Sequence, residues 1–181
     1  RKGLLKHQIK SQEINLDKLI SSDRLHVIHY VIRDHFSGLF YAELALSNNP
    51  LPFHEFLYRA WALQKDYSFY GMPDKMTIPE SLEKFYPSIK NQIVTLGIDF
   101  LKVTSGFQSG IRDIKTIEDH LKFYIGCTFD HVRGEIKYIS LLLNKQISRS
   151  SKYSKIALWR NNVRKLYAPQ EDWVNEMNKN L

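Results

Sequence analysis

Residues 25–46 read LHVIHYVIRDHFSGLFYAELAL. Residues 25–33 are crowded with β-branched and aromatic side chains, which suit a strand. Residues 34–38, DHFSG, break the run with Asp, Ser and Gly and turn the chain. Residues 39–46 resume as another strand, so the stretch reads as an antiparallel hairpin. A strand over residues 13–20, followed by a turn at Ser21-Ser22-Asp23, completes a three-stranded meander.

Downstream the period changes. Phe53, Phe56, Leu57, Ala60, Trp61, Leu63, Gln64 and Tyr67 recur at helical spacing, and Gly71 and Pro73 end that helix. Lys75–Ile78 is a short strand between prolines. Residues 81–96 are helical, broken at Pro87 and capped by Gly97, and residues 98–103 form a further strand. Residues 104–110 read as a mobile Gly/Ser loop. One long helix then runs over 111–144, with a kink near Gly126 or Gly134, and a basic helical tail centres on 156–166. Three antiparallel strands followed by alternating helices and strands predict an α/β domain with a mixed five-stranded sheet and helices on both faces.

The chain has 181 residues, enough for one domain with a real core and a small extension. The division expected is a core over 1–135 and a basic, mostly helical extension over 136–181 packed on it. With 43% hydrophobic and 25% charged residues the composition is that of a globular protein, and no apolar run is long enough to span a bilayer. The first fifteen residues are too polar for a signal peptide. The chain opens on Arg1 and not on Met, which suggests an excised fragment of a longer protein. A single cysteine, Cys127, excludes an internal disulfide and fits a reducing compartment. It reads as a small core residue in a helix.

The net charge of +7 is unevenly spread. No Asp or Glu occurs between Ile136 and Gln170, a stretch that holds Lys137, Lys145, Arg149, Lys152, Lys155, Arg160, Arg164 and Lys165. A polyanion, most commonly a phosphate backbone, suits such a surface; a solvated basic face is the plainer alternative. Tyr138, Tyr153, Trp159 and Tyr167 are interleaved with these cations. They either stack on bases or pack the tail onto the core, and packing is the reading preferred for Trp159.

Three segments together resemble a known family. VIRDHFSGLFYAEL (31–44) is similar to the second-to-third-strand segment of retroviral integrases and insertion-sequence transposases. FYGMPDKMTIPES (69–81) resembles the segment leading to their second catalytic Asp. LGIDFLKVTSGFQSGIRDIKTIEDHLKF (96–123) resembles the closing strand, loop and acidic helix. They occur in the family's order and cover about residues 11–125. The resemblance implies a ribonuclease-H-like fold and three carboxylates holding two Mg²⁺ or Mn²⁺ ions, which activate the attacking oxygen and stabilise the leaving one in phosphodiester transfer.

Carried over position by position, those catalytic and metal-ligating residues are Asp17, Glu80 and Asp113. Asp17 also reads as a surface residue at a strand end. At the second position Pro79 stands where the family has Asp, and Glu80 follows one residue later, a shift that turns a strand side chain to the other face. Asp113 replaces the family's Glu with a side chain one methylene shorter. It reads equally well as a first-turn helix acid complementing the dipole. Its neighbour Arg112 is a cation placed to pair with it or with a phosphate. Lys115 and Lys122 match the placement of the family's DNA-touching helix lysines. Lys152, Lys155, Arg160, Arg164 and Lys165 are the phosphate contacts that the charge pattern suggests.

Other chemistries are disfavoured. His26 and His29 fall on opposite strand faces, His120 and His131 have no partner four residues on, and no phosphate-binding glycine loop or serine nucleophile elbow occurs. Three functions stay open. The first is an integrase or transposase catalytic core that cleaves and joins DNA strands. The second is an inactive DNA-binding or assembly module of the same fold, and the third a protein-interaction domain whose tail meets an acidic partner. The resemblance implies DNA as partner, a homodimer, no membrane, and a bacterial cytoplasmic or nucleic-acid-associated intracellular location.

Overall fold

A computed structural model of the chain describes residues 4–12, 27–65, 67–79, 89–103, 108–124, 127–147 and 151–162. The meander comes first: β1 (Leu4–Gln12), β2 (Val27–Asp34) and β3 (Phe40–Leu46). β1 runs antiparallel to β2, with Leu5 opposite Asp34 and Gln12 opposite Val27. β2 runs antiparallel to β3, with Val27 opposite Leu46 and Arg33 opposite Phe40. After α1 (Phe53–Trp61), β4 (Lys75–Pro79) lies parallel to β1. After α2 (Ile89–Thr95), β5 (Asp99–Val103) lies parallel to β4, with Pro79 opposite Val103. The strand order is β3-β2-β1-β4-β5. The parallel strands need crossovers, and helical segments supply them.

Two apolar layers sandwich this sheet because alternate side chains on a strand face opposite ways. Ile28, Tyr30 and Ile32 of β2 join Tyr41, Met76, Ile78 and α1 on one face. Val27 and Val31 join Phe40, Ala42 and Leu44 on the other. That second layer is covered by α3 (Gln108–Leu121), which a 3₁₀ turn (Lys122–Tyr124) extends, and by α4 (Phe129–Lys145). α1 buries Phe53, Phe56, Leu57, Ala60 and Trp61, a single helical stripe. A last helix, α5 (Lys155–Asn162), brings Ile156 and Trp159 into the first layer, where Trp159 stacks on Phe69 at 5.4 Å between ring centroids.

Several elements differ from their sequence expectation. The described chain opens on a strand at Leu4–Gln12, and the strand expected over 13–20 lies outside the described residues. α1 stops at Trp61, where Ala62 turns extended and its N–H bonds Tyr58 O at 2.8 Å. Trp61 O then accepts from Gly71 N–H at 2.8 Å, folding the following loop back so that Tyr67 and Phe69 are buried. The 111–144 stretch is two helices. Thr128 caps α4 by accepting from His131 N–H, while Gly134 sits inside α4 with open space beside its Cα. Cys127 is half-buried and precedes that helix. Helix α3 begins at Gln108, within the expected loop. α4 itself crosses residue 135, so the basic extension grows out of a core helix.

Candidate functional site

The β2–β3 hairpin builds one wall of the site. Asp34, buried, accepts from Ser37 N–H and Ser37 Oγ–H, both at 2.6 Å, and Ser37 Oγ accepts from Leu39 N–H at 3.1 Å. Asp34 N–H to Leu39 O at 2.8 Å and Gly38 N–H to Asp34 O at 3.1 Å close the turn. Gly38 has φ +72°, in the left-handed region that glycine adopts without penalty. A β-carbon there would also stand 2.7 Å from the Arg33 guanidinium. The Asp-x-x-Ser-Gly turn therefore does more than reverse the chain: it leaves room for Arg33 to lie across it.

Arg33 pairs with Asp113, 80 residues away on α3. The contact joins a guanidinium N–H to Asp113 Oδ2. The other carboxylate oxygen, Oδ1, faces Lys155 Nζ at 3.5 Å, from the first residue of α5. Asp113 is 8% exposed, so it is paired with cations on both oxygens in a nearly water-free position. Lys155 also lies over the Phe40 ring, 4.8 Å from its centroid. Burial pushes the Lys155 pKa below the lysine range; Arg33 adds to that shift and Asp113 opposes it.

The sequence candidates separate into three groups. Asp17 and Glu80 lie outside the described residues, as do Arg164 and Lys165. Asp113 is placed in the second turn of α3, deeper than a first-turn dipole role requires, and its partners are Arg33 and Lys155 while Arg112 is exposed. Lys115, Lys122, Lys152 and Arg160 are exposed. Lys122 pairs with Asp119 at 2.6 Å, and Lys155 is largely enclosed. Among the described residues no three of His, Cys, Asp and Glu gather as a metal group. A divalent ion at Asp113 would have to displace one of its two cations, so this carboxylate, as arranged, does not suit a metal. Sequence reasoning missed Arg33, although its signal was present: it stands one residue before the Asp that anchors the turn.

Across 86% of its length the chain superposes on the HTLV-2 integrase catalytic core domain solved with magnesium, covering 94% of that chain, with a TM-score of 0.58 and 13% identity. It superposes on the BIV integrase catalytic core domain over 98% of both chains, with a TM-score of 0.57 and 14% identity. The chain has the fold of retroviral integrase catalytic cores. A simian T-cell lymphotropic virus intasome chain matches over 93% of this chain and 58% of its own, with a TM-score of 0.56 and 9% identity. No family model matches, and no curated protein sequence matches. No helix among the described residues is long and apolar enough to cross a membrane.

Proposed function

We propose that this chain is an integrase-like core domain that acts on DNA. One observation carries the reading: the chain's fold is like that of retroviral integrase catalytic cores over nearly its whole length. The net charge of +7 supports a nucleic-acid partner, with exposed Lys115, Lys122, Lys152 and Arg160 as phosphate contacts. Transposase kinship, ribonuclease-H-like ancestry and a homodimer belong to the same reading. In its catalytic form, Asp17, Glu80 and Asp113 would hold Mg²⁺ or Mn²⁺ and the domain would cleave and join phosphodiesters.

A second reading is favoured by a specific feature. Both oxygens of Asp113 are held by cations of the chain itself, Arg33 and Lys155. That arrangement suits a domain that keeps the fold and the basic surface and binds DNA without cutting it. A duplex nicking assay with Mg²⁺ or Mn²⁺, alongside DNA binding as a function of salt, separates the two. The catalytic form predicts nicking that Asp17→Asn abolishes. The module form predicts salt-sensitive binding and no nicking. Absence of both overturns the DNA reading.

A further inference from the structure

The helix α4 has two faces. Val132, Ile136, Ile139 and Leu143 face the sheet. Gly134, Lys137, Tyr138, Leu141 and Lys145, at spacings of three and four, form another stripe along the helix. That stripe lines an open cavity of about 1030 Å³, flanked by the segment after α1 and by α5. Four cations line it: Lys65, Lys137, Lys145 and Arg160. No described lining residue is acidic, and among the described residues Lys65, Lys145 and Arg160 have no carboxylate partner. Lys65, Lys145 and Arg160, like charges gathered about one concavity, favour an anion there.

The lining also carries flat surfaces. Tyr138 is 57% exposed. Trp159 lines the same space, with one ring face stacked on Phe69. Its indole N–H is buried and has no acceptor among the described residues. A buried donor of this kind ordinarily finds a partner. Basic side chains that track a phosphodiester chain, together with aromatics that accept bases, are the chemistry of single-strand recognition. The volume of about 1030 Å³ lies at the top of the roughly 300–1,000 Å³ of ligand pockets, room for a base with its sugar and phosphate. Neither Asp113 nor Arg33 lines it, so this is a second place on the molecule.

We infer that the cavity between the segment after α1, α4 and α5 binds a single strand of nucleic acid, with Lys65, Lys145 and Arg160 on its phosphates and Tyr138 beneath a base. The inference rests on the nucleic-acid reading above only for the class of ligand. Its test is the affinity of the 181-residue chain for a fluorescein-labelled oligothymidylate of about ten nucleotides, within the site sizes of about 4–16 that such grooves show. Anisotropy is followed as salt is raised, without divalent ions. Lys145→Glu with Arg160→Glu should weaken binding at least about tenfold. The slope of log affinity against log salt should become shallower by about 1.4, two contacts at about 0.7 each. Tyr138→Ala should weaken it at least about fivefold with the slope unchanged. Both cations are exposed, so the variants should fold; circular dichroism checks this, and Lys145→Gln with Arg160→Gln replaces the charge reversal if it does not. Wild-type chain that ignores the oligonucleotide, or variants that bind within about twofold of wild type, overturn the inference. Wild-type chain that nicks or binds duplex but ignores the oligonucleotide leaves the proposed function standing while this site falls. Oligonucleotide binding in a chain that neither nicks nor binds duplex does the reverse.

Discussion

Asp113 sits in a buried spot and is matched there by two cations, Arg33 of β2 and Lys155 of α5. Removing its charge leaves Arg33 and Lys155 facing each other with no anion between them. Asp113→Asn should therefore destabilise the domain by about 3 kcal/mol, the low end for breaking a buried ion pair, since both cations keep some contact with water. Thermal melting measures this, and a loss within experimental error would show that the cluster is solvated. Adding Lys155→Met should restore part of the loss, because a methionine can fill the lysine's place over Phe40 without a charge to desolvate.

At the scale of elements, the outer strand β3 is the exposed edge of the sheet and would invite pairing with another chain. Asn144 of α4 blocks it: its side-chain NH₂ donates to Phe40 O at 2.6 Å and its oxygen accepts from Phe40 N–H at 3.2 Å. A single amide thereby imitates a neighbouring strand. Asn144→Ala should cost about 2 kcal/mol for two orphaned backbone groups and raise aggregation, read by melting and by light scattering. This contact was invisible in the sequence, because nothing in LLLNK says that an asparagine will meet a backbone 104 residues away. The hairpin was legible for the opposite reason. Its strands are dense in β-branched and aromatic residues, and Asp34, Ser37 and Gly38 each have one local job. The long helix misled because residues 111–144 have a continuous apolar rhythm. A single rod of that length would run about 50 Å, at 1.5 Å per residue, beyond the roughly 40 Å that a domain of this size spans. Thr128 restarts the helix so that α4 can return along β3. For the candidate site, Asp113 entered through the family resemblance, as the acid aligned after the last strand. That Arg33 and Lys155 would be its partners was not legible, since a pairing between distant segments is fixed by the tertiary fold and leaves no spacing to read.

The whole molecule responds to pH through groups in its core. Tyr41 bonds Glu43 at 2.5 Å, and burial first, then Glu43, drives its pKa well above the tyrosine norm; burial and Glu43 do the same to Tyr67. Both stay protonated in the folded state after an unfolded chain would have begun to ionise. A raised folded pKa means stability that is full below about pH 10 and lost above it, as the unfolded state sheds protons that the native state retains. The melting temperature should fall with a two-proton dependence above about pH 10, and Tyr41→Phe should remove one proton from that slope. Lys155 acts in the other sense. Its lowered pKa means that stability rises with pH through the window just below 10.5, where the unfolded lysine still holds its proton. A titration of melting temperature that is flat to pH 11 would contradict the tyrosine assignment.

The internal neutralisation of Asp113 also bears on what the folded state needs from its surroundings. A carboxylate balanced by soluble ions loses its counter-charge when those ions are stripped away. One balanced by a guanidinium and an ammonium covalently joined to the same polypeptide keeps it through dialysis and through any chelator. On the reading that the domain binds DNA without cutting it, resistance to heat should accordingly be the same in EDTA as in millimolar magnesium, and a melting temperature raised by magnesium would favour the catalytic form.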